Sequence, residues 1–230
     1  MIFSPQRNFC FIHVPKTGGT SIEHAYSQAV TFGDIILDGS SGTMSRFYLE
    51  TLNLGRHASA AQIVDMIGLV AFQSMFSVAV IRDPIERMIS YFRWIQSFEH
   101  QGHIEKGLKK ILDFDEFVDV ASETLAPQVE FVLDRISGEK LVQILIPYPK
   151  LTAEWLTICR FLKIGATLPV LNKSLFQMVA PSAGSISEIV SRYEADVTLY
   201  NELSENMFLN TQPHTQPSLC SFERFLAEES

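Results

Sequence analysis

Phe9-Cys10-Phe11-Ile12-His13-Val14-Pro15-Lys16-Thr17-Gly18-Gly19-Thr20-Ser21 is the stretch on which the reading of this chain turns. Phe9 to Val14 is a short apolar run that closes in Pro-Lys-Thr-Gly-Gly, the signature of a buried strand entering a loop. Beyond the loop, Ile22, Ala25, Tyr26 and Ala29 recur at helical spacing and mark one face of a helix. In a strand–glycine loop–helix unit the glycines let the backbone turn so that several N–H groups face one concavity. The helix start adds its positive end. Lys16 supplies a full charge, and Thr20 and Ser21 supply hydroxyl donors. The segment suits a phosphate-like group. Its lysine precedes the glycines, so it is not the Gly-x-x-x-x-Gly-Lys-Ser/Thr loop. The plain alternative is a glycine-rich turn with an incidental surface lysine.

Further along, Phe76 to Ile81 reads as a second buried strand, and Arg82 leaves its end. Asp83, Pro84 and Glu86 then start a helix, with an acceptor at the N-cap, proline at the first helical position and an acid at the third. Ile85, Met88, Ile89, Phe92 and Ile95 form its apolar stripe. Ser90 lies off that stripe, on a face shared with Arg87, Tyr91 and Trp94. An arginine fork and a serine hydroxyl suit a second phosphate. The alternative is a solvated helix face with Arg82 paired to Asp83 or Glu86. Two anion sites at the ends of different strands fit a nucleotide phosphorylated at both the 5′ and 3′ positions. In open α/β sheets, ligands gather beyond the carboxyl ends of the strands.

The rest of the chain continues the alternation. Ser59 and Gln62 form a capping box ahead of Ile63, Met66 and Ile67, and Asp113 with Glu116 opens a helix carrying Phe114, Phe117, Val118 and Ala121. Leu141 to Ile146 is a third strand, followed by a helix with Leu151, Trp155, Ile158 and Leu162 on one face. Ser185 with Glu188 caps a helix running through Ile189, Tyr193, Val197 and Tyr200. Such alternation predicts an α/β fold with a central parallel sheet flanked by helices. Residues 1–210 read as a single domain without internal repeat. Residues 211–230, with Pro213 and Pro217, read as a loosely attached tail.

Composition narrows the partners. Of 230 residues, 47% are hydrophobic and 19% charged, which is globular rather than disordered. A net charge of −8 weighs against nucleic acid or a broad polyanion surface, so any anion site must be local. Three scattered cysteines, Cys10, Cys159 and Cys220, read as reduced thiols of a cytoplasmic protein. Neither a signal peptide nor a membrane anchor is legible, because the run from Leu69 to Ile81 is interrupted and too short.

With both motifs in view, the sequence resembles the sulfotransferases that use 3′-phosphoadenosine 5′-phosphosulfate (PAPS), in particular the carbohydrate-type branch. Phe11-Ile12-His13-Val14-Pro15-Lys16-Thr17-Gly18-Gly19-Thr20-Ser21 looks like that family's 5′-phosphosulfate loop. Ile81-Arg82-Asp83-Pro84-Ile85-Glu86-Arg87-Met88-Ile89-Ser90-Tyr91 looks like its 3′-phosphate motif. Weaker echoes occur at Pro127-Gln128, Leu141 to Leu162, Asn172-Lys173-Ser174 and Arg192 to Asp196. Around Tyr148 the chain departs from the family's usual Arg-x-Glu, reading Pro147-Tyr148-Pro149-Lys150-Leu151. The resemblance implies a three-layer, P-loop-like fold and PAPS as donor, with no metal required. It also implies contacts to the donor from Pro15, Lys16, Thr17, Gly18, Gly19, Thr20 and Ser21, with Lys16 catalytic at the leaving oxygen. Arg82 and Ser90 would take the 3′-phosphate, and the acceptor would be a hydroxyl of a carbohydrate or small molecule.

A hydroxyl acceptor needs a base, and His57 in Gly55-Arg56-His57-Ala58-Ser59 is the candidate. It lies two residues before the Ser59 cap, where a helix N-terminus disfavours imidazolium. The competing reading is a histidine that ties down its loop. His13 reads as a packed core residue; His24, His100 and His103 read as solvated. Glu23 reads as a first-turn acid, with a base role as its alternative. Tyr91, Trp94, Phe98 and Trp155 are either core or the lining of an acceptor pocket. Two other functions compete: a P-loop kinase or NTPase, which would need Mg²⁺, and a non-catalytic relative that only binds PAPS.

Overall fold

The computed structural model describes residues 1–39, 43–97, 113–121, 124–169, 179–205 and 217–229. Strand β1 (Ile2–Ser4) turns through Pro5 to Asn8 into β2 (Phe9–Ile12), which feeds the glycine loop and helix α1 (Gly19–Ser27). After β3 (Ile35–Ile36) come α2 (Thr43–Leu52), α3 (Ala60–Ile67) and α4 (Leu69–Ser74). The expected capping box opens α3: the Ser59 amide donates to Gln62 Oε1 at 2.9 Å, and the Gln62 amide donates to Ser59 Oγ at 3.3 Å. Gly68, at φ 86°, separates α3 from α4.

Strand β4 (Phe76–Ile81) leads to α5 (Pro84–Ser97), whose cap is Asp83 Oδ1 accepting from the Glu86 amide at 2.9 Å. Next are α6 (Phe114–Ala121), α7 (Val129–Val132) and β5 (Ile144–Pro147). A 3-10 turn, Tyr148–Lys150, runs into α8 (Leu151–Phe161). The chain ends in α9 (Ala183–Arg192), α10 (Glu194–Glu205) and α11 (Pro217–Glu229).

The five strands lie in the order β3-β1-β2-β4-β5. The three strands expected from sequence, β2, β4 and β5, are mutually parallel as expected, with Phe9 opposite Phe76 and Val78 opposite Ile144. The sheet as a whole is mixed, which corrects the expectation of a parallel one. β1 pairs antiparallel with β2, Ile2 opposite Phe11, and β3 pairs antiparallel with β1. The turn between β1 and β2 is far too short for a crossover, so a hairpin is the only connection available.

Alternate residues of the strands fill two cores, as a sheet covered on both faces requires. Cys10, Ile12, Ala79, Ile81 and Leu145 face α3, α4, α7 and α10, meeting Ile63, Phe72, Val132 and Leu199. Phe9, Phe11, Phe76, Val78, Val80 and Ile146 face α1, α8 and α11, meeting Ile22, Tyr26, Trp155 and Phe222. A third cluster joins α5, α6 and α9 through Met88, Phe92, Phe117 and Ile189.

Two helix expectations change. The cap of α9 is Ser182, whose Oγ accepts from the Ser185 amide at 3.1 Å, so the helix begins a turn earlier than Ser185. The single helix expected through Tyr200 breaks at Tyr193 into α9 and α10. Within the expected tail, α11 seats Phe222 between Phe76 and Phe161, with ring centroids 4.7 and 5.0 Å away. Asn172-Lys173-Ser174, Phe98, His100 and His103 lie outside the described residues. Among the described residues, no helix is long and apolar enough to cross a membrane.

Candidate functional site

The carboxyl ends of β2 and β4 are neighbours, so the glycine loop and Arg82 emerge side by side. Lys16 sits at φ 68° and Gly18 at φ 89°. A left-handed lysine is a sparsely populated conformation, held here by its surroundings. The Thr17 hydroxyl donates to the Val14 carbonyl at 2.8 Å and closes the turn, leaving its amide as its outward contribution. Among the described residues, the amides of Lys16, Thr17, Gly18, Gly19 and Thr20 meet no protein acceptor, and α1 begins at Gly19. That is a row of unpaired donors at a helix N-terminus, the arrangement that binds anions.

Gly19 is required by packing rather than by dihedral freedom. A Cβ there would lie 2.2 Å from His13 Cδ2, on a buried ring that cannot withdraw. Gly19→Ala should therefore cost about 1–3 kcal/mol in chemical denaturation. Gly165→Ala, which meets nothing within 4 Å, should cost far less. Equal losses would show that the His13 contact does not constrain the loop.

Arg82 is held by its backbone. Its amide donates to Gln128 Oε1 at 2.9 Å, and Gln128 Nε2 donates to the Arg82 carbonyl at 2.8 Å. Its guanidinium lies 4.4 Å from the Tyr148 ring centroid, reaches the Lys16 carbonyl at 3.5 Å and pairs with Glu86 at 3.3 Å. The Arg82–Glu86 pair expected from the solvated-face alternative thus forms, yet Arg82 Nε is buried without any partner. Ser90 is half-buried on α5.

The helix face carrying Arg87, Tyr91 and Trp94 is not a solvated one. Arg87 is 1% exposed: its Nε donates to the Pro15 carbonyl at 3.0 Å, and one terminal nitrogen donates to the Ala126 carbonyl at 2.9 Å. Its other nitrogen lies 3.6 Å from Asp196. Tyr91 is buried beside Phe117, with its hydroxyl 3.2 Å from Thr124 Oγ1. Trp94 holds Lys16 Nζ 4.8 Å from its ring centroid, and Trp155 is core.

His57 is joined to the loop. Its Nδ1 lies 2.8 Å from the His13 carbonyl, which can only accept, so Nδ1 carries the proton and Nε2 keeps its lone pair. The two imidazoles meet edge-on at 4.6 Å. The outer edge of His57 is exposed, but burial of the ring beneath it lowers its pKa, and Arg56 adds to this. His13 is buried, as expected, and its Nδ1 lies 2.6 Å from Glu23. Burial pushes His13 down to about 3.

Glu23 is neither the expected first-turn acid, since α1 begins at Gly19 with no acid in its first turn, nor free to act as a base. It is 3% exposed and accepts from the α-ammonium of Met1, from His13 and from Arg56 Nε at 3.0 Å. Burial pushes its pKa up, but the bond from His13 and the neighbouring ammonium outweigh this and hold it at about 2. Arg56 also donates to Thr20 Oγ1 at 2.8 Å, so the His57 segment and the start of α1 share one cation. His24 is exposed. Sequence reasoning missed Arg56, Arg87, Gln128 and Asp196 as builders of the site. Only Pro127-Gln128 and the Arg192 to Asp196 stretch gave any signal, as faint echoes.

Lys16 has no carboxylate partner among the described residues. Burial first, then Arg82 and Arg56, bring its pKa down to about 7. Lys16 without a carboxylate, the orphaned Nε of Arg82 and a row of free amides converge, although Arg82 and Arg56 each keep one carboxylate, Glu86 and Glu23. The residues present therefore fit a polyanionic group such as PAPS.

A family model described as "Sulfotransferase family" matches residues 1–152, more than half of the chain and both motifs. No curated protein and no solved structure gives a significant match.

Proposed function

The chain belongs to the sulfotransferase family, and on that premise we propose that it transfers a sulfuryl group from PAPS to a hydroxyl of a carbohydrate or small molecule, on a P-loop-like fold. The observation that carries this reading is the pairing of Lys16, which has no carboxylate partner among the described residues, with the orphaned Arg82 Nε at adjoining strand ends. PAPS would supply an activated sulfuryl group whose S–O bond to the 5′-phosphate breaks as the acceptor oxygen bonds to sulfur.

The protein's part is to place charge and move one proton. The amides from Lys16 to Thr20, with Ser21 at the first helical turn, would hold the 5′-phosphate, and Lys16 Nζ would neutralise the charge gathering on its leaving oxygen. Arg82 and the Ser90 hydroxyl would hold the 3′-phosphate, with Arg82 Nε finding there the acceptor it lacks. His57 Nε2 would accept the hydroxyl proton, its tautomer fixed by the His13 carbonyl.

Calorimetric titration with 3′-phosphoadenosine 5′-phosphate (PAP), without metal, tests the site directly. Wild type should bind in the micromolar range, and Arg82→Ala should weaken binding about 10- to 100-fold, the worth of one or two charged hydrogen bonds. Absence of PAP binding, or binding of ATP only with Mg²⁺, would overturn the reading in favour of a phosphoryl-transfer enzyme.

A further inference from the structure

Arg82 is aimed by a side chain 46 positions away in sequence, and that side chain is anchored by a helix beyond the family match. Gln128 is completely buried. Its amide grips the Arg82 backbone twice, accepting from the Arg82 N–H at 2.9 Å and donating to the Arg82 carbonyl at 2.8 Å. This is the paired bonding that a neighbouring strand would offer, supplied by one side chain just past the end of β4. Gln128 is fixed in turn by Asp196 at the start of α10. The Asp196 carboxylate accepts from the backbone N–H of Gln128 at 2.8 Å and from the backbone N–H of Val129 at 3.0 Å. The same carboxylate faces Arg87, which donates to the Pro15 carbonyl of the glycine loop.

We propose that Gln128, seated by Asp196, is a positioning residue that sets where the Arg82 guanidinium points relative to the glycine loop. Gln128 and Asp196 thereby govern discrimination of the 3′-phosphate. The inference rests on the donor-site reading above and assigns a task to residues that touch no ligand. The network runs as a continuous set through the loop carbonyl, Arg87, Asp196, Gln128 and the Arg82 backbone, hydrogen-bonded at each step but for the 3.6 Å ion pair between Arg87 and Asp196. The buried, paired groups of Gln128 and Asp196 fix one geometry, because any shift strands a donor or acceptor in a dry interior.

Ligand preference is the readout that separates aiming from mere stability. Gln128→Met removes both bonds to Arg82 while keeping length and volume. Calorimetry should show PAP affinity falling about tenfold, since small misplacements of a binding group are costly. Affinity for adenosine 5′-monophosphate, which lacks the 3′-phosphate, should hold. Combined with Arg82→Ala, the substitution should add little, because both act on one contact. Asp196→Asn, which keeps shape and one acceptor oxygen, should shift the preference in the same direction by a smaller factor, and it serves should Gln128→Met fold poorly. Equal weakening for both nucleotides, or effects that add fully to Arg82→Ala, would overturn the inference alone. If wild type itself fails to prefer PAP over the monophosphate, the donor-site reading falls and this inference with it.

Discussion

Lys16→Met lowers kcat for sulfuryl transfer by about 10²- to 10³-fold, the scale found for removing one preorganised donor at a developing negative charge. The variant keeps the aliphatic stem and loses the ammonium that lies over the Trp94 ring, so the side-chain volume in the loop is nearly preserved. The loss should fall on kcat more than on nucleotide affinity, because charge on the leaving oxygen grows only as the bond breaks. A pH signature accompanies it. In the free protein, burial and the neighbouring Arg82 and Arg56 bring the Lys16 ammonium to about pKa 7. Below pH 7 the lysine is already charged and an anion binds without proton uptake. Above pH 7 it is mostly neutral, so a bound anion must recruit a proton, and affinity falls with each further unit until the pKa of the liganded form. Titrating PAP in buffers of different ionisation enthalpy at pH 8 should reveal close to one proton taken up by wild type and none by Lys16→Met. Equal uptake in both would assign the proton to another group.

The local chemistry of this chain was legible in its sequence, and its long-range chemistry was not. The run from Phe9 to Ser21, the Asp83 cap and the Ser59–Gln62 box are all written within a few residues, and each forms where periodicity and capping rules place it. β1 and β3 escaped because strands of three and two residues carry too few positions for alternation to register. The burial of Arg87 went unread, with a solvated face as the alternative for its helix, because a helix pattern distinguishes apolar from polar and cannot see a buried arginine with three partners drawn from distant segments. Glu23 was misjudged for the same reason: its partners are Met1, His13 and Arg56, and only the fold assembles them. The groups expected to touch ligand were visible as residue types in loops. The groups that hold them still are ordinary core positions occupied by polar side chains, which become visible only when their partners do.

His57→Asn is the sharpest test of the chemistry, because it separates the two roles open to that histidine. Its Nδ1–H bond to the His13 carbonyl ties the segment before α3 to the mouth of the glycine loop. An asparagine amide can supply that same donor but has no lone pair of useful basicity where Nε2 stood. If His57 is the base, His57→Asn and His57→Ala both lower kcat by about 10²- to 10⁴-fold and leave PAP affinity nearly unchanged. If His57 only fastens the loop, asparagine restores what alanine removes. The pH profile gives an independent answer. Burial lowers the His57 pKa, so its neutral form persists to more acid pH than for an ordinary histidine. For wild type, kcat/KM should rise with pH through that lowered value as His57 loses its proton. It should then fall above about 7 as the free protein's Lys16 loses its own. Asn at position 57 should abolish the acid limb and keep the alkaline one, while Met at position 16 should do the reverse. Because neutral imidazole and charged ammonium coexist only between the two pKa values, activity is confined to the window below about pH 7 that the lowered His57 pKa opens on its acid side.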